Sequence, residues 1–126
     1  MPELPEVEAL AQDLGRRLHG RAIKRIDLAA FSALKTFDPP VFSLNGQFIE
    51  TVSRHGKFLD IDVSGTHLVL HLARAGWIRW RDEVPATPAK PNSKSPLAAR
   101  VVLDDDSGLD ITEAGTKKSL AMYVVR

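Results

Sequence analysis

The chain has 126 residues, of which 44% are hydrophobic and 26% charged, and its formal net charge is +1. This composition is typical of one soluble globular domain with a core of its own, and the lack of cysteine excludes a disulfide framework or a thiolate metal site. No apolar run approaches the ~20 residues of a membrane span. The first ten residues, MPELPEVEAL, are acidic where a secretory signal is basic, so we expect a cytoplasmic protein.

Residues 5–19 are predicted to form an amphipathic helix. Leucines recur at every fourth position, which places one apolar stripe along the helix. The stripe consists of Val7, Leu10, Ala11, Leu14 and Leu18. Pro5 suits the first turn, where its missing N–H costs nothing, and Gly20 suits the end of the helix.

After the helix, the pattern changes to short β-strands separated by turns. Seven or eight strands are predicted, at residues 22–28, 48–53, 58–63, 67–72, 77–80, 101–103, 109–112 and 120–125. Residues 29–46 have little periodicity, and residues 84–98 are rich in Pro, Ala, Lys and Ser, so we expect both to be loops, the second a mobile excursion. So many short strands with frequent turns favour a β-sandwich or a barrel.

The N-terminal segment offers a candidate nucleophile. Initiator methionine is usually removed before a small residue, and removal of Met1 would leave Pro2 as a terminal secondary amine. An α-amino group titrates at about 7.7–8.0, so an unprotonated fraction is available to attack a sugar carbon and form an iminium. Glu3 would stand beside it to move protons. On spacing alone, a stiff lead-in to a helix explains the same residues.

The sequence MPELPEVE at residues 1–8 resembles the opening of the formamidopyrimidine-DNA glycosylase and endonuclease VIII family. The resemblance implies that Pro2 is the nucleophile, that Glu3 is essential in catalysis and that Glu6 supports the site. It also implies a mainly β fold, with a two-sheet sandwich of about eight strands flanked by an N-terminal α-helix.

A second segment, SRHGKFL at residues 53–59, resembles the family's Arg-Arg-Gly-Lys-Tyr-Leu turn. In the family the lysine lies at a hairpin tip beside the lesion, so the resemblance makes Lys57 a candidate catalytic residue and Arg54 a candidate phosphate contact. Gly56 permits a tight turn from which a lysine can project. A plain solvated hairpin is the alternative interpretation of these residues taken alone.

Two further segments match less closely. HLARAG at residues 71–76 stands where the family has His-Leu-Gly-Met-Ser-Gly, so His71 and Arg74 are candidate DNA contacts, with Arg74 replacing the methionine that fills the gap left by a flipped base. Without the resemblance, His71 is more often a satisfied core histidine. ITEAGTKK at residues 111–118 lacks the arginine and the aromatic wedge of the family's loop, but Lys117 and Lys118 can bind phosphate.

The resemblance implies a base-excision repair enzyme, a bifunctional DNA glycosylase and AP lyase. Its partner would be double-stranded DNA with an oxidised base or an abasic site, and the chemistry needs no cofactor and no metal. We expect a nucleoid-associated monomer. Residues 1–126 would form the family's N-terminal catalytic domain, and they contain neither its helix–two-turn–helix module nor its zinc finger. Two alternatives stay open: a non-catalytic DNA-binding relative, and a structural or protein-interaction domain.

Overall fold

The computed structural model describes residues 3–92 and 95–126, so Pro2 lies outside the described residues. Helix α1 spans Leu4–Leu18, one residue from the predicted start and end, and a proline occupies its first turn. The predicted apolar stripe is buried except for Leu10, which is half-buried. Among the described residues, no helix is long and apolar enough to cross a membrane.

Within the described residues, eight antiparallel strands form two four-stranded sheets, which confirms the predicted sandwich flanked by a helix. The strands are β1 (Ile23–Leu28), β2 (Ile49–His55), β3 (Phe58–Val63), β4 (Thr66–His71), β5 (Gly76–Arg81), β6 (Leu97–Leu103), β7 (Gly108–Glu113) and β8 (Ala121–Val125). One sheet has the order β1-β6-β7-β5 and the other has the order β2-β3-β4-β8.

The core lies between the sheets and under α1. In β3, Leu59, Ile61 and Val63 are buried, and the residues between them face outwards, as the alternation predicts. Val7, Ala11, Leu14 and Leu18 of α1 join the same core cluster. Burial of this stripe stabilises the helix by about 25 cal/mol per Å² of apolar surface removed from water.

Strand β6 is longer than predicted. The sequence places residues 97 and 98 in a loop and starts the strand at Val101, but β6 begins at Leu97. It lies between β1 and β7 and is buried over most of its length. Such a strand shows no polar alternation from which its start can be read. The predicted loop at residues 84–98 is therefore shorter by two residues.

The predicted loop at residues 29–46 also contains ordered structure. Two short 3-10 helices span Phe31–Ala33 and Val41–Leu44. Leu34 forms an isolated parallel bridge with Met122 of β8, and the Lys35 amide donates to the Met122 carbonyl at 2.8 Å. This pairing joins residues far apart in sequence, so local periodicity gives no sign of it.

Helix α1 runs antiparallel to β2. Arg54 Nε donates to Glu8 Oε2 at 3.3 Å near one end of the helix, and His19 Nδ1 lies 2.7 Å from the Glu50 carbonyl at the other. The guanidinium of Arg17 lies 5.1 Å from the ring centroid of Trp80, which ties α1 to β5. These contacts fix the N-terminus of α1 beside the β2–β3 turn.

Candidate nucleic-acid interface

Three of the connections that meet at one end of the sandwich carry predicted site residues, and we call this end the loop end. They are the β2–β3 turn at residues 56–57, the β4–β5 loop at residues 72–75 and the β7–β8 loop at residues 114–120. The strand register brings them together, because His71 pairs with both Phe58 and Ala121, and Gly76 pairs with Glu113. The N-terminus of α1 lies at the same end, so the loop end collects every predicted site residue that the structure describes.

Glu3 is the N-cap of α1 and is exposed. Its backbone N–H donates to Glu6 Oε1 at 3.2 Å, and the two glutamates form a capping box. Both residues also lie in the first turn, at the positive end of the helix dipole. The helix start is thus fixed at the residue that follows the predicted nucleophile Pro2.

Lys57 lies in the two-residue turn between β2 and β3, as predicted. Gly56 has φ +60°, and Lys57 does not have a positive φ, which is the pattern of a type II′ hairpin turn. Lys57 is half-buried. Arg54 Nη1 donates to the Gly56 carbonyl at 3.0 Å, and the same guanidinium contacts Glu8. Arg54 therefore braces the hairpin against α1 through the side chain that was predicted to contact phosphate.

The β4–β5 loop is closed by a glycine. The Gly76 amide donates to the Leu72 carbonyl at 2.9 Å, and a Cβ added at Gly76 would lie 2.2 Å from that oxygen. Ala73 adopts φ +57°, a left-handed conformation that is rare for an alanine. Arg74 follows at the apex and is exposed, and no ion pair to it occurs within residues 3–92 and 95–126. The loop presents one unneutralised guanidinium at the loop end.

His71 lies at the end of β4 and is half-buried. Its Nδ1 accepts a hydrogen bond from the Ala73 amide at 3.1 Å. Its ring makes an edge-to-face contact with Phe58, with 4.8 Å between the centroids and an interplanar angle of 68°. His71 is therefore held by local contacts at one nitrogen, while it lies at the loop end beside Lys57.

A buried carboxylate anchors the β7–β8 loop. Glu113 is 4% exposed, and its Oε2 accepts the amides of Ser119 and Leu120, each at 2.8 Å. Lys118 Nζ donates to the Glu113 carbonyl oxygen at 2.6 Å, whereas Lys117 is exposed. Of the two predicted phosphate contacts in this loop, Lys118 thus already has a backbone partner, and Lys117 faces solvent.

Away from the loop end, ion pairs cross the outer faces of the sheets. Burial raises the pKa of Asp110, but hydrogen bonds and charge from Arg100 and Arg81 more than offset that effect, so the pKa lies below its usual value. On the other sheet, the hydrogen bond to Asp60 raises the pKa of His67. These paired charges stabilise the sheets and lie outside the candidate interface.

Sequence reasoning missed three residues of the loop end: Phe58, Ala73 and Glu113. Phe58 was expected only as part of a turn motif, yet its ring holds His71. The conformation of Ala73 and the buried carboxylate of Glu113 depend on tertiary contacts, so periodicity could not reveal either. No group of three or more His, Asp or Glu residues that could hold a metal ion occurs in the described part of the chain.

These features define a class of β-sandwich domain in which a helix N-terminus and basic loops share one end. The family model described as the formamidopyrimidine-DNA glycosylase N-terminal domain matches residues 1–121. The chain therefore belongs to the formamidopyrimidine-DNA glycosylase family.

Curated relatives agree with this assignment. The formamidopyrimidine-DNA glycosylase of Paraburkholderia phymatum is 35% identical over 91 residues, which are 71% of this chain and 33% of that protein. The enzyme of the same name from Streptococcus pyogenes serotype M3 is 41% identical over 88 residues, which are 68% of this chain and 32% of that protein. The chain thus spans about a third of the length of the curated relatives it matches.

Solved structures share the fold. The wild-type Lactococcus lactis Fpg (MutM), in a complex with DNA containing N7-benzyl-Fapy-dG, superimposes with a TM-score of 0.82 at 25% identity, covering 98% of this chain and 44% of that one. The same protein bound non-covalently to DNA with an AP site gives a TM-score of 0.81 at 25% identity, covering 98% and 45%. The sandwich and its helix are therefore those of a known fold.

Proposed function

We propose that this chain is the N-terminal catalytic domain of a base-excision DNA glycosylase that also cleaves the strand as an AP lyase. One observation carries the proposal: the N-terminus of α1 lies at the same end of the sandwich as Lys57 and Arg74. Pro2 precedes Glu3 in the sequence, and we propose that its free amine acts at this end of the molecule. Family membership adds independent support.

The chemistry follows from a secondary amine next to a carboxylate. The duplex is bent and the damaged nucleotide is extruded, at a cost of about a few kcal/mol. The Pro2 nitrogen attacks C1′, the bond from C1′ to the base breaks, and the base leaves with a proton. The amine loses its own proton, and the sugar ring opens to an iminium that links Pro2 to C1′. Glu3 donates the proton that the ring oxygen takes up.

Strand cleavage continues from that iminium. The iminium acidifies the hydrogen on C2′, and loss of that proton drives elimination of the 3′ phosphate. The 5′ phosphate can leave in a second elimination. Hydrolysis of the final iminium returns the free Pro2 amine. Lys57 would lie beside the sugar and phosphate groups that react, and Glu6 would support the site by holding the Glu3 backbone.

The basic residues would hold the DNA backbone. We propose that Lys57, Arg74 and Lys117 meet phosphates at the loop end, and each phosphate that they neutralise would make binding more sensitive to salt. Arg54, Lys118 and His71 are held by contacts within the protein, so we propose that their part in DNA binding depends on a fixed position. We propose double-stranded DNA with an oxidised base or an abasic site as the partner of a cytoplasmic, nucleoid-associated monomer.

Borohydride trapping on abasic duplex DNA tests the proposal. The chain with Met1 removed should form a covalent adduct with DNA under reductant. A matched variant with a glutamate inserted between Met1 and Pro2 should keep its methionine, carry an amide at Pro2 and form no adduct. Pro2→Gly and Glu3→Gln should lose normal turnover. Lys24→Ala, at an exposed position in β1 where Lys24 pairs with Asp106, should trap like the wild type.

A second function is favoured by the β7–β8 loop. Residues 114–119 contain no arginine and no aromatic residue, so the loop lacks the wedge expected from the family resemblance. A non-catalytic DNA-binding relative would be retained on abasic DNA and would give no trapped adduct. The same trapping experiment, run beside a filter-binding measurement, distinguishes the two functions.

A further inference from the structure

His71 holds a single N–H donor at the loop end. Because the Ala73 amide donates to Nδ1, that nitrogen carries a lone pair, and the ring proton lies on Nε2. Within residues 3–92 and 95–126, no hydrogen-bond partner of Nε2 occurs. Among the described residues, the ring thus has one satisfied nitrogen and one donor nitrogen without a partner.

Two contacts fix the direction of that donor. The ring edge-to-face contact with Phe58 sets the plane of the imidazole, since the two residues are directly paired across β3 and β4. The hydrogen bond from the Ala73 amide to Nδ1 sets how the imidazole is turned within that plane. Phe58 is itself 6.4 Å from the ring of Tyr123, so three adjacent strands contribute to one aromatic cluster.

The conformation of Ala73 is consistent with a role for its amide. Its φ of +57° lies in the left-handed region, which an L-residue adopts at a cost in free energy. At residue 73 this conformation accompanies the hydrogen bond from the Ala73 amide to His71 Nδ1. Backbone strain of this kind is usually kept where the surroundings require it.

We infer that Phe58 and the Ala73 amide are positioning residues, which hold His71 as a fixed Nε2–H donor for a DNA backbone phosphate next to Lys57. The inference rests on the proposed function, because it takes DNA as the ligand of the loop end. An N–H donor at the end of β4 and a lysine in the neighbouring β2–β3 turn suit one phosphate: the donor sets its orientation, and the lysine supplies charge. Phe58 need not touch the DNA to affect its binding.

The tautomer can be measured without DNA. Two-bond proton–nitrogen correlation spectra of the imidazole groups in the free protein should show His71 with an unprotonated Nδ1 and a protonated Nε2. Ala73→Gly keeps the amide and should keep this tautomer. A wild-type spectrum with the proton on Nδ1, or with the two tautomers exchanging freely, overturns the inference whatever the protein does to DNA.

Binding to a duplex with one tetrahydrofuran site tests the positioning role. Phe58→Leu should weaken binding by about 3- to 10-fold and leave the salt dependence unchanged, because no charged contact is lost. Phe58→Tyr keeps the ring and should bind like the wild type. His71→Gln places an amide N–H near the position of Nε2 and should bind better than His71→Asn, whose amide lies near the position of Nδ1. Phe58 is 39% exposed, so these variants should keep the wild-type circular dichroism.

The outcomes separate the two proposals. Folded Phe58→Leu and His71→Asn proteins that bind DNA as tightly as the wild type overturn the positioning role, even if the enzyme traps abasic DNA. A wild type that binds DNA in the predicted Phe58-dependent way but is never trapped by borohydride contradicts only the enzymatic function. A wild type that does not bind the duplex contradicts both.

Discussion

Gly76 offers a direct test of the packing at the loop end. A Cβ at this position would lie 2.2 Å from the Leu72 carbonyl oxygen and 2.8 Å from Leu120 Cδ1. The backbone of the β4–β5 loop would have to move by about 1 Å to restore ordinary contact distances, since the interior is close-packed. The same movement would break the 2.9 Å hydrogen bond from the Gly76 amide to Leu72.

We therefore expect Gly76→Ala to destabilise the protein by about 2–4 kcal/mol. Overpacking accounts for about 1–3 kcal/mol of this figure and the lost hydrogen bond for about 1 kcal/mol. Urea unfolding followed by tryptophan fluorescence measures the change, since Trp77 is the next residue. Because the displaced loop carries Arg74, affinity for DNA should fall as well.

Gly15→Ala is the matched control. Gly15 lies inside α1, and a Cβ there would meet only the Val52 carbonyl, at an ordinary distance of 3.9 Å. Alanine in a helix interior is favoured over glycine by about 0.5–1 kcal/mol, so this variant should be more stable than the wild type. Changes in stability of the same sign for the two substitutions would refute a steric role for Gly76, and so would a Gly76→Ala protein within about 0.5 kcal/mol of the wild type, the size of an ordinary surface effect.

Three further predictions follow from the charges. Asp110→Asn should lower the free energy of unfolding in urea at pH 7 by about 2–4 kcal/mol, because it leaves the charges of two arginine partners uncompensated at a nearly buried site. Asp104 is exposed, so Asp104→Asn should change the free energy of unfolding by less than about 0.5 kcal/mol. The pKa of His67 is raised in the folded state, so the stabilisation that His67 contributes is complete below its unfolded pKa of about 6.5 and is lost as pH rises through the higher folded pKa. His67→Gln should therefore lose more unfolding free energy, relative to the wild type, at pH 5.5 than at pH 8.5. An equal deficit at both pH values would contradict this. Lys57→Ala should lower the slope of log affinity for DNA against log salt by about 1, and Lys24→Ala should leave it unchanged; equal slopes for the two variants would exclude a phosphate contact at Lys57.

Much of the fold could be read from local pattern. Strand β3 has the predicted boundaries, because one of its faces is buried and the other exposed, and helix α1 differs by one residue at each end. The start of β6 could not be read, since a strand buried between two neighbours carries no alternation. The bridge from Leu34 to Met122 was hidden for another reason, as it joins residues 88 positions apart.

The candidate site was predictable in its members and less so in its geometry. Motif order placed Lys57 and Arg74 on a turn and a loop, and the structure puts both at the loop end. The Glu8–Arg54 contact that sets the helix beside the hairpin joins two distant segments, and no local rule predicts it. The alternative prediction, a core histidine with both nitrogens satisfied, holds for Nδ1 of His71, which accepts a hydrogen bond from Ala73. It does not hold for Nε2, which has no partner among the described residues.

The mass of the trapped product tests most directly whether the terminal amine of Pro2 captures the sugar. Trypsin digestion of borohydride-reduced protein–DNA complex, followed by nuclease treatment and mass spectrometry, should place the sugar remnant on the peptide spanning residues 2–16, at its proline nitrogen. A remnant found on a lysine-containing peptide, or an N-terminal peptide that still begins with Met1 and carries no remnant, would contradict the account.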